Sequence, residues 1–177
     1  MRRVMVVDTR RCVGCEACVL ACKNENAVPD GQYRDWVVQE MRGEFPLLEL
    51  SIQSQRCNHC ADAPCVANCP VGSSYYRWDG TVQIDRDKCT GCRACIASCP
   101  YGARYVHPAG YVDKCTLCVH RTDRGLGTAC QTVCPTDAIA VGDADDPMSE
   151  VSLRLRRGSS TVVCPEAATR PNVHYVR

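Results

Sequence analysis

The sequence predicts an α+β fold: two cysteine-ligand modules, an added β-hairpin and an extended C-terminal tail. Three observations lead there. Sixteen of the 17 cysteines in the 177-residue chain fall into four quartets. Short alternating segments around turn residues separate the quartets and read as hairpins. Leu, Ile, Val and Phe make up only 34 of the 177 residues, with a single phenylalanine, near the level at which a chain struggles to bury enough apolar surface to fold.

The start, MRRVMVVDTRRC, holds two Arg-Arg pairs, but Asp8 interrupts the apolar stretch and Cys12 already opens a ligand run, so no usable export signal is expected. The first quartet is Cys12, Cys15, Cys18 and Cys22. The spacer after it contains RDWVVQEM and LLELSIQ on either side of Gly43-Glu44-Phe45-Pro46, two strands of a hairpin lying outside the modules. The second quartet is Cys57, Cys60, Cys65 and Cys69. Beyond it, SSYYR and TVQID flank Trp78-Asp79-Gly80, a strong hairpin signal. The third quartet, Cys89, Cys92, Cys95 and Cys99, is followed by a briefer hairpin around His107-Pro108-Ala109-Gly110.

The fourth quartet is Cys115, Cys118, Cys130 and Cys134; its long gap, VHRTDRGLGTA, reads as a surface loop. TDAIAVGD then supplies a last strand. DPMSEVSLRLRRG reads as a short helix capped by Asp146, with Pro147 in its first position, Gly158 as its stop and Met148, Val151 and Leu155 on one face. The final PEAATRPNVHYVR is expected to be extended.

Pro70, Pro100 and Pro135 follow the last cysteine of the second, third and fourth quartets, and the first and third quartets have the C-x2-C-x2-C-x3-C spacing of bacterial ferredoxins. Sixteen thiolates in such runs are the ligand set of four [4Fe–4S] clusters. Three clusters with one altered site is the nearest variant. Disulfides do not explain repeated three-residue spacing ending in Cys-Pro, zinc ribbons use pairs rather than close quartets, and a thioredoxin-like C-x-x-C would be single. In two-cluster ferredoxins the fourth cysteine of a run serves the other cluster. Pairing of neighbouring runs and nested pairing, second with third and first with fourth, are both open to the spacing. The Asp-Gly hairpin between the inner runs and the long spacer after the first favour nesting.

The clusters are expected to serve as the missing core, so that the apoprotein is largely unfolded. The formal net charge is +1; four cubanes at −2 each take the holoprotein to roughly −7. Arg10, Arg11, Lys23, Lys88 and Lys114 lie within two residues of a ligand cysteine and as a group are placed to tune potential. Cys164 stands alone and reads as an unreactive thiol. His59 and His120, beside full quartets, read as supporting or surface residues. Trp36, Trp78, Tyr75 and Tyr76 are expected to pack beside the clusters and exclude water. No Walker or dinucleotide fingerprint, nucleophile elbow or H-E-x-x-H is present. No catalytic residue and no nucleic-acid partner is expected, and no apolar run approaches a membrane span. The chain passes electrons.

DTRRCVGCEACVLACKNEN, RCNHCADAPCVANCPVGSSY, CPYGARYVHPAGYVDKCTLCVHR and TRPNVHY resemble the four-cluster iron–sulfur subunits of membrane-bound molybdopterin oxidoreductases, most of all the polysulfide and dimethyl sulfoxide reductase type. The resemblance covers essentially the whole chain. It implies two nested bacterial-ferredoxin-like modules, an outer one from residues 1–33 and 109–145 and an inner one from 52–108, with the hairpin at 34–51 and a helix and tail at 146–177. It implies that Cys12, Cys15, Cys18 and Cys134 hold one cluster and Cys22, Cys115, Cys118 and Cys130 its partner. Cys57, Cys60, Cys65 and Cys99 would hold a third, and Cys69, Cys89, Cys92 and Cys95 the fourth. Some relatives replace the second cysteine of the third run; Cys92 is kept, which implies four cubanes. The implied partners are a molybdopterin catalytic subunit next to the outer module and a polytopic quinone-binding membrane subunit next to the inner one. Location on the outer, periplasmic face would follow from co-export with the catalytic subunit. A subunit of a hydrogenase-type complex and a free polyferredoxin are the alternatives.

Overall fold

A computed structural model describes all 177 residues. Its main sheet joins the two ends of the chain. Strand β1 (Arg3–Asp8) lies between β8 (Ile139–Asp143) and β10 (Val173–Val176), with β9 (Ser160–Thr161) at the edge. The β1–β8 pair is antiparallel, with Met5 opposite Val141. The β1–β10 pair is parallel, with Met5 opposite Val173. Val4, Met5, Val6 and Val7 are all fully buried, because both faces of β1 are covered.

The two faces differ in what covers them, as the two-residue period of a strand requires. Met5, Val7, Ile139, Val173 and Tyr175 share one apolar cluster with Cys18, Cys57, Cys115 and Cys130. Val4, Val6, Ala140 and Val176 form another with Val151 of helix α6 (Glu150–Arg157). Burying Val151 contributes about 1.5–3 kcal/mol. The sheet and α6 therefore form a small apolar layer without cysteines, next to a core that depends on them.

Helix α6 starts later than expected. Ser149 is its N-cap and its side chain accepts from the Ser152 N–H. Asp146 instead accepts from the Met148 N–H in the preceding turn, and Met148 is exposed. A serine three residues nearer the apolar stripe satisfies the first free N–H groups of that stripe directly, which leaves Pro147 outside the helix. Gly158 ends it, as expected. The tail is extended only in part. It has a single helical turn at Pro165–Ala167, and its last strand is an interior strand of the main sheet.

Between β1 and β8 lie the cysteine-bearing elements. Helix α1 (Ala17–Glu25) has nine residues and carries Cys18 and Cys22. Helices α2 (Pro64–Ala67), α3 (Ala94–Ala97) and α5 (Ala129–Thr132) have four residues each and carry Cys65, Cys95 and Cys130. The difference follows from Cys-Pro: a residue before proline is pushed out of helical geometry. Cys69, Cys99 and Cys134 precede prolines, whereas Cys22 precedes Lys23 and its helix runs on.

Three antiparallel pairs complete the fold. β2 (Asp35–Arg42) pairs with β3 (Glu49–Arg56), β4 (Ser74–Tyr76) with β5 (Val82–Ile84), and β6 (Tyr105–Val106) with β7 (Val112–Asp113). Each forms around its expected turn residues, but β3 runs on to Arg56, directly before Cys57, beyond the expected end of that hairpin at residue 51. The gap between Cys118 and Cys130 is not wholly loop, since Val119–Thr122 forms one helical turn, α4. No helix is long and apolar enough to cross a membrane.

Candidate metal centres

The folding of these elements gathers the sixteen cysteines around four small cavities. One is lined by Cys12, Cys15, Cys18 and Cys134, with Pro135. The second is lined by Cys22, Cys115, Cys118 and Cys130. The third has Cys57, Cys60, Cys65 and Cys99, with Pro100. The fourth has Cys69, Cys89, Cys92 and Cys95, with Pro70. No three His, Cys, Asp or Glu side chains converge tightly enough to hold a single ion; the thiols stand around a space instead.

The cavities follow one another. Cys18 and Cys22 lie one helical turn apart on α1 and face the first and second. Cys115 of the second and Cys57 of the third pack in the same apolar cluster. Cys65 and Cys95 of the third and fourth pack in another. Exposure follows the same order. All four cysteines of the second cavity are buried, as are three of the third. Cys15 of the first and Cys92 of the fourth are exposed. The row is insulated in its middle and open at both ends.

Local backbone geometry forms each cradle. Gly14 and Glu16 in the first run, and Gly91 and Arg93 in the third, take left-handed conformations with φ of 59–68°. A Cβ on Gly91 would meet the Gly110 carbonyl oxygen at 2.3 Å. His59 and Leu117 adopt similar angles in the second and fourth runs, at a cost that only a fixed surrounding structure sustains. Successive N–H groups turned inward in this way make a concavity suited to negative charge. Ser74 N–H donates to Cys69 Sγ at 3.4 Å, Val112 to Cys89 at 3.4 Å, Leu117 to Cys115 at 3.4 Å and Ala138 to Cys134 at 3.3 Å.

Side chains extend this donor set. Arg104 Nη2 donates to Cys65 Sγ at 2.8 Å and Arg56 Nη1 to Cys130 Sγ at 3.3 Å. Lys114 Nζ, almost fully buried beside Cys115, donates to the carbonyls of Val82 and Cys115. Burial pushes the Cys18 and Cys60 thiols up to about 11 and Cys115 to about 12, and raises Cys22 further. Burial also acts to raise Cys69 and Cys134, but N–H donors, led by Ser74 and Ala138, outweigh it and lower both. Such thiols become anions only when a cation replaces their protons, as cluster iron does. The donor set, four sulfurs around one space with N–H and cationic neighbours, fits an iron–sulfur cubane.

Of the five basic residues singled out by their spacing, only Lys114 lies inside. Arg10 and Arg11 are exposed, Lys88 pairs with Asp85, and Lys23 donates to the carbonyls of Pro29 and Gln32. Sequence reasoning missed Arg56 and Arg104. Arg56 had a signal, its place directly before Cys57; Arg104, five residues beyond Cys99, had none. The aromatic expectation holds for Trp36, which packs against the main core. It fails for Trp78 and Tyr75, which are 69% and 42% exposed; Tyr76 is 45% exposed, but its hydroxyl accepts from the N–H of Ala63, which lines the third cavity. His59 is fully buried and lines the third cavity; its Nδ1 accepts from the Val82 N–H. His120 lies at the surface against Glu25. Cys164 is half-buried and lines none of the four cavities.

Short cysteine helices, intervening hairpins and thiol-lined cavities in a row define an electron-carrying iron–sulfur protein. A family model described as a 4Fe-4S dicluster domain matches residues 48–144, and a second of the same description matches residues 11–74. A polysulfide reductase chain of Wolinella succinogenes is 40% identical, over 97% of this chain and 92% of its own length. A tetrathionate reductase subunit of Salmonella typhimurium is 39% identical over 99% of this chain and 72% of its own. The arsenate respiratory reductase iron–sulfur subunit of a Shewanella species is 33% identical over 100% and 97%. This protein belongs to the 4Fe–4S dicluster family, among the iron–sulfur subunits of molybdopterin reductases. These are electron-transfer subunits of multi-subunit complexes rather than catalytic ones.

Proposed function

We propose that the chain holds four [4Fe–4S] clusters, one in each cysteine-lined cavity, and passes single electrons along the row. The observation that carries this reading is the grouping of all sixteen run cysteines, four to a cavity, with an exposed cysteine only at each end. The ligand sets are Cys12, Cys15, Cys18 and Cys134; Cys22, Cys115, Cys118 and Cys130; Cys57, Cys60, Cys65 and Cys99; and Cys69, Cys89, Cys92 and Cys95. This is nested pairing. The outer module then comprises residues 1–33 and 109–145 and the inner one residues 57–108; the hairpin, expected at 34–51, extends to Arg56, and the helix and tail occupy 146–177. A cubane in each cavity supplies one-electron chemistry; the chain's own residues orient the thiolates and keep water from the two middle centres.

The partners in this reading are a molybdopterin catalytic subunit at the Cys15 end and a quinone-reactive membrane subunit at the Cys92 end. The chain attaches to the membrane through the latter, on the outer face, exported with the catalytic subunit. The named relatives, all subunits of reductases, support it. Purification through a tag on this chain in mild detergent tests it. A molybdenum-containing protein and a polytopic membrane protein should accompany the chain. Recovery of a monomer would refute the complex, and a nickel–iron partner would assign the chain to a hydrogenase-type assembly. Pairing is tested by Cys99→Ala, which should disturb the cluster of Cys57, Cys60 and Cys65 and leave those of the outer runs intact.

A further inference from the structure

The deeply buried arginines divide by what faces them. Arg3 meets Asp79 at 3.2 Å, Arg34 meets Asp113 at 2.6 Å and Arg56 meets Asp35 at 3.0 Å. Arg104, 6% exposed, has no carboxylate. Its Nη1 donates to Ser74 Oγ at 2.8 Å and its Nη2 to Cys65 Sγ at 2.8 Å. It lines both the cavity of Cys57, Cys60, Cys65 and Cys99 and that of Cys69, Cys89, Cys92 and Cys95. A guanidinium stays charged at every working pH. Its only negative neighbours are therefore the thiolates of these two centres.

We propose that Arg104 sets the potentials of the two inner centres, raising that of the cluster held by Cys57, Cys60, Cys65 and Cys99 most and that of its neighbour less. The inference rests on the ligand sets proposed above. A cluster that accepts an electron gains one negative charge. An unpaired cation in a low-dielectric interior favours the more negative state, and a charge-assisted hydrogen bond to a ligand sulfur acts in the same sense. Cys65 takes that bond directly, whereas the fourth cavity feels the charge through Cys95, which Arg104 also approaches. Arg56 makes the matching contact to Cys130, but Asp35 cancels most of its charge. The second cavity thus receives its hydrogen bond from an ion-paired arginine, and the other buried cation, Lys114, lies beside Cys115 and Cys57 and so acts on the second and third cavities together. Arg104 is a positioning residue for charge, fixed between the two inner centres.

The test is an anaerobic redox titration of the purified complex, followed by EPR, with iron counted in every sample. The centre of the third cavity is identified as the one displaced in a Cys60→Ser variant. Arg104→Gln should keep its iron and lower the midpoint of that centre, and to a smaller extent that of one other. Arg104→Lys, which keeps the charge, should restore most of the shift. Full iron with unmoved midpoints in Arg104→Gln would overturn the proposal. If Arg104→Gln sheds iron, the deciding variant is Ser74→Asp, which gives Arg104 the carboxylate partner that Arg56 has and should lower the midpoint of the centre of Cys57, Cys60, Cys65 and Cys99; an unmoved midpoint there also overturns it. The ligand reading fails separately, if Cys60→Ser and Cys99→Ser displace different centres or the wild-type iron count is low.

Discussion

Replacing Asp35 by asparagine should destabilise the protein out of proportion to the change of one atom. Asp35 is 2% exposed, and its Oδ1 lies 3.0 Å from Arg56 Nη2 and accepts from Ser54 Oγ at 3.2 Å. The Arg56 side chain is itself fully buried. Removing one partner of a buried ion pair costs about 3–5 kcal/mol, because the other charge is left uncompensated. Two features place the cost at the lower end. Arg56 keeps its contact to the Cys130 sulfur, and Asp35 Oδ2 makes no hydrogen bond that would be lost. A loss of about 3 kcal/mol corresponds to a rate or equilibrium change of about a hundredfold. Cluster loss is irreversible, so the assay is the half-life of the visible iron–sulfur absorbance at fixed urea under anaerobic conditions. Asp35→Asn should shorten it about a hundredfold, and adding Arg56→Met should recover a large part, since an apolar replacement of both partners leaves no orphan charge. A half-life within twofold of wild type would refute the reasoning.

The other predictions concern the core, the helix cap and the unpaired cysteine. Two of the three apolar clusters contain cysteines, so iron chelation should abolish the cooperative thermal transition; a sharp transition in the apoprotein would contradict this. Ser149→Ala should cost about 1 kcal/mol, the worth of an N-cap, seen as faster amide exchange confined to α6 and the strands it covers. Cys164→Ser should leave iron content and all four midpoints unchanged, because the thiol lines none of the cavities; a lost or shifted centre would give it a ligand role.

Local signals made much of this molecule legible in its sequence. The cysteine runs carry their own spacing, Asp79-Gly80 and Ala109-Gly110 fix two hairpins, and the three Cys-Pro steps stop α2, α3 and α5 where they should. What was missed depends on contacts between distant residues. Parallel pairing of β1 with β10 joins Met5 to Val173 across nearly the whole chain, and no local pattern distinguishes such a strand from a loose tail. Apolar content understated the core for the same reason: valines 4, 6 and 7 are few, but all are fully buried. Trp78 and Tyr75 lie close to Cys69 in sequence yet are exposed, since tertiary packing rather than chain proximity decides which rings cover a centre. Arg104 could not be found at all, since only the return of β6 past Ser74 brings its guanidinium to Cys65.

The most direct measurement for the central claim is the iron and acid-labile sulfide content of anaerobically purified protein, taken with the EPR spectrum of the oxidised sample. Four complete cubanes require about sixteen irons and sixteen sulfides per chain and no three-iron signal in fresh protein. A count near twelve irons, or a three-iron signal before any exposure to oxygen, would contradict four cubanes held by sixteen cysteines.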